Sequence, residues 1–331
     1  AYPDEQGAVR NTGRRPVIED LDKLPMAAWD LVDMERYKRS WLKHHGYFSL
    51  NLATTRGCPY SCNWCAKPIY GRKYNVRSTE EVVKEIEYLI KTFRVEHFWI
   101  CDDIFGLKAG WIQGFRDLVK EKDLNFKYIM QSRVDVMLKD DTIIALAESG
   151  LDTVWVGAES GSQKVLDAME KDIRVEDIAR AREKLKKHGV KVGFFLQFGY
   201  LGETVEDIKL TEDMLFGLMP DDMGISVSYP LPGTRFHEKV KADLKNKANW
   251  TDSDDLALMF KNTYPPRYYK MLHRYLHKQF RKKQGIERIR QFLRRPASHA
   301  GGIIRTFAAT VYYIPTSLFY RYQMKKSLIK K

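Results

Sequence analysis

The sequence has few cysteines and no apolar run at its start. Four of its 331 residues are cysteine, and three of these, Cys58, Cys62 and Cys65, lie within one segment of eight residues. A secreted protein held together by disulfides spreads its cysteines along the chain, so a reducing compartment is the better fit. The first residues are polar and aperiodic, and they lack the charged patch and apolar stretch of a signal peptide. We therefore expect a cytoplasmic protein.

The sequence also lacks an apolar stretch long enough to cross a membrane. Residues 306–320 carry no charge, but this stretch has 15 residues and contains Pro315. A transmembrane helix needs about 20 apolar residues. The aromatic and basic composition of this region is typical of helices that lie in the interface of an anionic membrane. Peripheral contact with the inner face of the membrane is therefore one role expected of the tail.

Acidic residues are nearly absent from the last fifth of the chain. Residues 267–331 hold 17 Lys and Arg and a single acid, Glu287, whereas residues 1–266 hold 39 basic and 42 acidic side chains. The net charge of +13 therefore comes from the tail. Residues 267–295 interleave basic with apolar residues at helical intervals, which predicts one apolar and one cationic face. Membrane contact, docking on the slightly acidic body and RNA binding all fit such a helix, and nucleic acid is the partner we expect least.

Short apolar runs alternate with amphipathic helical stretches through the middle of the chain. The six strand candidates are residues 48–55, 96–101, 126–131, 153–157, 190–198 and 223–229. Ser78 with Glu81 forms a capping box that opens one helix, and Gly150 and Gly189 end two others. Strands that alternate with helices predict an α/β fold with a parallel sheet. An incomplete TIM-like barrel and an open doubly wound sheet both fit this pattern.

Polar residues follow each strand candidate. Functional groups lie at the carboxyl ends of the strands in both arrangements, because the loops that follow the strands meet there. The polar groups in question are Thr55-Arg56, Asp102-Asp103, Gln131 with Arg133, Glu159-Ser160, Gln197 with the turn GYLGET, and Ser228-Tyr229. The sequence therefore predicts one site that several strands share.

The segment RGCPYSCNWC carries the spacing C-x3-C-x2-C after the first strand candidate. Three thiolates bind three irons of a cubane cluster and leave the fourth iron without a protein ligand. That iron can bind the amino and carboxylate groups of S-adenosylmethionine (SAM). An electron from the cluster then cleaves the sulfonium into methionine and a 5′-deoxyadenosyl radical, which abstracts hydrogen.

Two other kinds of metal site fit the spacing less well. A zinc site usually needs four ligands in two C-x2-C-like pairs, and the sequence has no second pair. A ferredoxin needs a fourth cysteine close by, whereas the remaining one, Cys101, lies on a strand candidate where we expect a buried thiol. The pattern therefore favours a cluster with an open iron.

The cysteine motif, with Trp64 before the third cysteine, resembles the signature of the radical SAM superfamily. The resemblance covers the sequence from residue 14 to about Tyr269. It is strongest to the members that carry a cobalamin-binding domain ahead of the radical SAM domain, among them methylases and the anaerobic magnesium-protoporphyrin monomethyl ester cyclase. The runs that carry it are RRPVIEDLDKLPMAAWDL, CAKPIYG, VGAESGSQ, GYLGET and YPLPGT.

This resemblance implies an architecture. Residues 47–245 are expected to form a partial (β/α)6 TIM-like barrel, and residues 246–331 a helical, basic extension. Residues 1–46 are then the linker from an upstream cobalamin-binding domain, since the chain itself has no D-x-H-x-x-G cobalamin signature. The implied cofactors are a [4Fe–4S] cluster held by Cys58, Cys62 and Cys65, SAM, and cobalamin on the upstream domain.

The resemblance also implies contacts to SAM at the strand ends. Asp102 or Asp103 would accept hydrogen bonds from its ammonium group, or one of them only caps the next segment. Glu159 and Ser160 would bind the ribose hydroxyls, although Ser160 fits a helix N-cap equally well. Arg133 would bind the SAM carboxylate or a cobalamin group, or form a structural ion pair.

The turn after the fifth strand candidate is the last predicted contact. Gly199, Gly202 and Glu203 would pack beside the adenine, because glycine lets the backbone approach a ligand closely. An ordinary strand-to-helix turn is the alternative.

The expected activity is cobalamin-dependent methylation of an unactivated carbon in a small hydrophobic substrate, with flavodoxin or ferredoxin as reductant. Oxidative cyclisation of a tetrapyrrole-type substrate is the alternative. Methylthiolation of tRNA would need three further cysteines for a second cluster, and only Cys101 remains.

Overall fold

The structure, a computed structural model, describes residues 2–13, 15–65, 71–244, 259–296 and 302–329. Residues 246–258, the first part of the predicted helical extension, lie outside this description. The strands in chain order are β1 (Tyr2–Pro3), β2 (Val9–Arg10), β3 (Ser49–Leu52), β4 (Thr55–Arg56), β5 (Asn75–Val76), β6 (His97–Ile100), β7 (Lys127–Ser132), β8 (Leu151–Glu159), β9 (Lys191–Phe198) and β10 (Asp222–Val227).

Six of these strands form one parallel sheet, in the order β3-β6-β7-β8-β9-β10. All six strand candidates are confirmed. The spatial order equals the order along the chain, whereas a doubly wound sheet reverses its strand order at a switch point. The fold is therefore the α/β partial barrel, and the open-sheet alternative is wrong.

Ten α-helices lie in the described residues, and the ends of three of them agree with the predicted capping residues. They are α1 (Met34–His45), α2 (Thr79–Phe93), α3 (Trp111–Glu121), α4 (Asp140–Glu148), α5 (Gln163–Ala168), α6 (Val175–Lys187), α7 (Val205–Leu218), α8 (Arg235–Leu244), α9 (Pro266–Arg294) and α10 (Ile303–Ile329). The Ser78 hydroxyl accepts from the Glu81 N–H at 3.2 Å and so caps α2. Gly150 and Gly189, which follow α4 and α6, both have positive φ, as the αL terminators were predicted to have.

The N-terminal segment packs against the barrel. Trp29 Nε1 donates to the Glu85 carboxylate at 2.8 Å, and the Asp22 carboxylate accepts from the Ser78 N–H at 2.9 Å. Leu21 is buried. Residues between β2 and α1 therefore contact α2 directly. The division at residue 46, with a linker from an upstream domain, stays a prediction.

The basic helix α9 docks on the barrel through its apolar face. The six predicted apolar residues are all buried: Tyr268, Tyr269, Leu272, Tyr275, Leu276 and Phe280. The Tyr275 hydroxyl donates to Glu212 of α7 at 2.6 Å, and Arg281 pairs with Asp222 of β10 at 2.8 Å. Intramolecular docking therefore accounts for this face of α9. Helix α10 packs antiparallel on α9, since Gly285 contacts Thr310 whereas Arg274, earlier in α9, lies over the ring of Tyr320, later in α10.

Across the ranges that the structure describes, no helix is both long enough and apolar enough to pass through a bilayer. The expectation that residues 306–320 do not form a transmembrane helix is confirmed. These residues are part of the much longer helix α10, which continues through Pro315.

Candidate active site

The cysteine loop lies between β4 and β5 and depends on a glycine. Gly57 has φ = +90°, and a Cβ atom there would lie 1.9 Å from the carbonyl oxygen of Lys73. A side chain at this position would therefore push the two arms of the loop apart. The next residue, Cys58, donates its backbone N–H to the Gly71 carbonyl at 3.4 Å. Gly57 thus holds the first cysteine at the start of the loop.

Asn63 ties the same loop to the turn that follows α5. Its side-chain amide donates to the Ala168 carbonyl at 2.8 Å and to the Glu170 carboxylate at 3.1 Å, and its backbone N–H donates to Met169. Its side-chain oxygen accepts from the Tyr200 hydroxyl at 2.8 Å. This residue between the second and third cysteines therefore fixes the loop over the ends of β8 and β9.

Cys58, Cys62 and Cys65 line one cavity at the carboxyl ends of the strands. Cys58 and Cys62 are buried and Cys65 is half-buried, whereas Cys101 is exposed and lies outside this cavity. The expectation that Cys101 is buried is therefore wrong: the residue directly follows β6, next to the edge strand β3, and lines a separate surface cleft.

This donor set fits a cubane cluster. Three thiols around one cavity, with no fourth cysteine in the lining, match a cluster that keeps one iron open. Among the residues that the structure describes, no three Cys, His, Asp or Glu side chains converge on a single metal ion. The two observations agree, since each thiolate of a cubane binds a different iron and the three sulfurs surround the cluster.

Arg133 joins the cysteine loop to the barrel. It is buried, donates to Cys62 Sγ at 3.7 Å and lies 3.6 Å from the centroid of the Tyr60 ring. Its other nitrogens donate to Asp135 at 2.8 Å and to the Lys171 carbonyl at 2.8 Å. The structural ion pair predicted as an alternative is present. The predicted contact to SAM stays a prediction. The guanidinium lines the cavity, but most of its N–H donors already form hydrogen bonds within the protein.

Glu159 and Lys171 form a buried ion pair in the same cavity. Their carboxylate and ammonium groups lie 2.9 Å apart, and both side chains are at most 7% exposed. Glu159 ends β8 at a register shift and has φ = +57°, a left-handed conformation that is uncommon outside glycine. Gly157 makes room for the pair, since a Cβ there would lie 2.5 Å from each partner.

An aromatic pair forms the adjoining wall. Trp155 of β8 stacks on Phe195 of β9 with ring centroids 4.8 Å apart, and both line the cavity. Gly193 leaves space for the indole, because a Cβ there would lie 2.5 Å from the Trp155 ring, and a Cβ at Gly224 would lie 3.3 Å from the Phe195 ring. The cavity thus combines thiols, one ion pair and a flat apolar surface.

The two adjacent aspartates after β6 lie in different environments. The Asp102 carboxylate is buried and accepts from the backbone N–H groups of Thr54 and Thr55 at 2.7 and 3.0 Å and from the Thr54 hydroxyl. Burial raises the pKa of Asp102 to about 6 against these hydrogen bonds. Asp103 lines the cavity, and burial raises its pKa as well. Asp103 is therefore the aspartate that can contact a ligand in the cavity, whereas Asp102 fixes the backbone at the start of β4.

Ser160 and the turn after β9 lie behind the cavity wall. The Ser160 hydroxyl contacts Thr211 of α7 at 3.0 Å and accepts from the Ser162 N–H at 3.1 Å. The Glu203 carboxylate accepts from the Gly199 N–H at 2.6 Å, and the Gly202 carbonyl accepts from Lys164 at 3.1 Å. Burial raises the pKa of Glu203 to about 8. Their predicted contacts to SAM stay predictions. The N-cap residue of α5 is Ser162, so the N-cap alternative for Ser160 is wrong, whereas the bonds of Glu203 and Gly202 fit an ordinary strand-to-helix turn.

The sequence predictions missed Lys171, Trp155 and Phe195. A lysine in the segment EKD gives no sign of burial, since lysine is rarely buried without a partner. The aromatic residues occupy strand positions where core packing is the ordinary expectation. The glycines that face Trp155 were the available signal, because glycine within a strand often marks a close approach.

A comparison with protein-family models identifies the barrel. Residues 52–215 match the model of the radical SAM superfamily. These residues form a radical SAM domain. A radical SAM domain uses SAM and a [4Fe–4S] cluster, in agreement with the cavity that the three cysteines line.

Two curated relatives match most of this radical SAM chain. An uncharacterized methyltransferase from Pyrococcus horikoshii is 29% identical over 249 residues, which are 74% of this chain and 53% of the relative. The anaerobic magnesium-protoporphyrin IX monomethyl ester cyclase of Rubrivivax gelatinosus is 29% identical over 239 residues, which are 70% of this chain and 41% of the cyclase. The chain thus spans about half the length of these relatives.

A solved structure shares the fold. The cobalamin-dependent SAM radical enzyme OxsB, solved with aqua-cobalamin and SAM bound, superposes with a TM-score of 0.65 at 18% identity. The superposition covers 86% of this chain and 48% of OxsB. It therefore extends beyond the barrel of this chain to part of the N-terminal segment or the helical extension.

Proposed function

We propose that this radical SAM enzyme cleaves SAM reductively and methylates an unactivated carbon of a small hydrophobic molecule with the help of cobalamin. One observation carries the proposal: the cysteine thiols, the Glu159–Lys171 pair and the Trp155–Phe195 wall line the same cavity. That cavity provides a place for a cluster, a charged anchor and an apolar surface side by side.

The residues of this chain have distinct tasks in that reaction. When bound through Cys58, Cys62 and Cys65, a [4Fe–4S] cluster supplies the electron that splits SAM into methionine and a 5′-deoxyadenosyl radical. Arg133 holds Cys62 in place and sets its positive charge beside a ligand that is anionic when it binds iron. The Glu159 carboxylate, oriented by Lys171, is an acceptor for the two ribose hydroxyls.

The hydrophobic substrate is inferred from the aromatic wall. Trp155 and Phe195 are half-buried, so each presents apolar surface to the cavity. Apolar ring surface favours a ligand that loses little hydration when it leaves water. Asp103 lines the same cavity, and we assign it to the ammonium group of SAM.

We include cobalamin in the proposal for two reasons. The fold is similar to that of the cobalamin-dependent enzyme OxsB, and the sequence predicts an upstream cobalamin-binding domain. A small-molecule substrate and an external reductant are common to the superfamily, and flavodoxin or ferredoxin is the reductant that we propose. We also propose peripheral contact of the C-terminal helices with a membrane, from which a hydrophobic substrate would be taken.

The proposed cleavage is tested with the reconstituted protein under anaerobic conditions. SAM and dithionite should yield 5′-deoxyadenosine and methionine, measured by liquid chromatography and mass spectrometry. Cys62→Ala should abolish both products and the absorbance of the cluster. Cys101→Ala is the matched control, since this exposed thiol lies outside the cavity, and it should retain both. Cleavage by Cys62→Ala at the wild-type rate would overturn the assignment.

Oxidative cyclisation is a second candidate, favoured by the cyclase from R. gelatinosus, which is as similar to this chain as the methyltransferase from P. horikoshii. Methylation adds a CH2 unit to the substrate, whereas cyclisation removes hydrogen. Product masses from cell extracts incubated with the enzyme, with and without cobalamin, separate the two. A product that has lost hydrogen, formed without cobalamin, would favour the cyclase.

A further inference from the structure

The outward face of α10 is apolar over most of its length. Eight of the 22 strongly exposed large hydrophobic residues in the described ranges lie on this one helix. They are Ile304, Phe307, Val311, Tyr312, Ile314, Leu318, Phe319 and Tyr322. Single exposed hydrophobic residues are ordinary, but a contiguous patch on a protein surface indicates a partner. We call these eight residues the outer stripe.

The spacing of the outer stripe shows that it is one continuous surface. Most of its members follow one another at intervals of three or four residues, which places them on the same side of a helix. Ile304 is 85% exposed and Tyr322 is 62% exposed, so the stripe is open at both ends. From Ile304 to Tyr322 the helix rises about 27 Å at 1.5 Å per residue. The stripe is therefore long enough to lie along a surface.

The opposite face of α10 is already occupied by α9. Thr310 and Ser317 are buried there, and a Cβ at Gly285 of α9 would lie 2.0 Å from the Thr310 hydroxyl. Lys282 of α9 reaches the Ser317 hydroxyl at 3.5 Å. Since one face is fixed to the protein, α10 can only lie flat on whatever covers the outer stripe. A spanning orientation would detach it from α9.

The charges around the outer stripe identify the partner. Helix α10 contains no acidic residue, and the exposed basic residues Arg305, Arg321, Lys325 and Lys326 flank the stripe at its two ends. Lys278 of α9 lies 4.8 Å from the centroid of the Tyr312 ring and adds positive charge at its centre. Apolar and aromatic side chains bordered by cations match a bilayer with anionic headgroups.

We propose that the outer stripe of α10 docks on the surface of an anionic lipid bilayer, with Phe307 and Leu318 inserted among the acyl chains. This inference deepens the membrane contact proposed above and does not depend on the radical chemistry. A failure of vesicle binding would leave SAM cleavage untouched, and a failure of SAM cleavage would leave vesicle binding untouched.

The test uses the full chain and vesicles of equal parts phosphatidylcholine and phosphatidylglycerol, with pure phosphatidylcholine for comparison. The wild-type protein should float with the anionic vesicles, bind the neutral ones more weakly, and lose affinity as salt screens the basic residues. Phe307→Asp and Leu318→Asp should each weaken binding by about tenfold or more, because each removes one large apolar side chain from the lipid.

A matched control is Leu210→Asp, which places the same charge on an exposed leucine of α7 and should bind like the wild type. All variants should cleave SAM at the wild-type rate. Absence of wild-type binding, or equal binding by Leu318→Asp, would overturn the proposal. A wild-type dimer that Leu318→Asp converts to a monomer would also overturn it, since the stripe would then be an interface between two copies.

Discussion

The buried acidic residues at the carboxyl ends of the sheet fall into two groups. Glu159 faces the cavity and pairs with the side chain of Lys171, which lies 12 residues further along the chain. Asp102 and Glu203 face away from the cavity and accept hydrogen bonds from backbone N–H groups of Thr54, Thr55 and Gly199. Glu159 is thus fixed by the positive charge of Lys171, whereas Asp102 and Glu203 fix the backbone of the turns to which they bind.

The difference between the groups does not lie in burial. Glu159 is 4% exposed, Asp102 is 2% exposed and Glu203 is 0% exposed. The two groups differ in the hydrogen-bond partner of the carboxylate. A carboxylate that satisfies local N–H groups stabilises one backbone conformation, whereas one that pairs with a lysine at a cavity keeps oxygen lone pairs for a ligand. A buried acid at a strand end of this protein is therefore a candidate for function when its partner is a side chain across the cavity, as Lys171 is for Glu159.

The largest expected effect comes from Glu159→Gln. The change leaves the Lys171 ammonium buried beside a neutral amide, which should lower the free energy of unfolding by about 3 kcal/mol. It also removes the proposed ribose acceptor, so SAM cleavage should fall about 100-fold. Chemical denaturation and the rate of 5′-deoxyadenosine formation measure the two effects.

The double variant Glu159→Gln/Lys171→Met separates stability from chemistry. Removing the orphaned charge should restore much of the lost stability, while the cleavage rate stays low. Glu203→Gln is the matched control from the second group and should cleave SAM like the wild type. If Glu159→Gln cleaves SAM at the wild-type rate, Glu159 belongs with the turn-holding group.

An intermediate effect is expected for Asp102→Ala. Two buried backbone N–H groups would lose their acceptor, which should lower the free energy of unfolding by about 3 kcal/mol. Asp102→Asn keeps one acceptor oxygen and should lose less. The affinity of Asp102→Asn for SAM, measured by calorimetry, should equal that of the wild type. A stable Asp102→Asn protein that no longer binds SAM would show that the carboxylate serves the ligand.

The sequence predicts the barrel well because its signals are local. Each buried strand is a short apolar run, and each helix carries its own capping residues, so the six strands and the range of α9 agree closely with prediction. The strand order had to come from the resemblance, since alternation alone fits two topologies. The cysteine motif is local too, with its ligands in one loop.

The sequence could not predict in the same way which of the polar residues enter the cavity and which bind the backbone. Asp102 and Asp103 are neighbours of the same type, and only the path of the loop after β6 decides which one enters the cavity. Lys171 becomes buried because α5 and its following turn carry it back to Glu159. Such pairings depend on tertiary geometry that no local pattern records.

The smallest expected effect is the pH dependence that Glu203 contributes. Burial raises its pKa from 4.5 to about 8, so the folded protein binds a proton that the unfolded chain releases. Its contribution to stability is fully present below pH 4.5 and is lost as the pH rises to about 8, by about 1.4 kcal/mol for each pH unit between these values. Asp102 shifts in the same direction, but its pKa is about 6. His277, lowered from 6.5 to about 4, shifts in the opposite direction and is neutral in both states above that range.

The interval between about pH 7 and pH 8 therefore separates Glu203 from these two groups, which are largely deprotonated there in both states. Over this interval the free energy of unfolding of the wild type should fall, whereas that of Glu203→Gln should stay nearly level, because glutamine carries no titrating proton and still offers an oxygen to the Gly199 N–H. Urea unfolding followed by circular dichroism at several pH values measures both slopes. Equal slopes in the two proteins would mean that Glu203 is ionised in the folded state. Its carboxylate would then need a cationic partner, as Glu159 has in Lys171, and the two groups of acids would no longer be distinct.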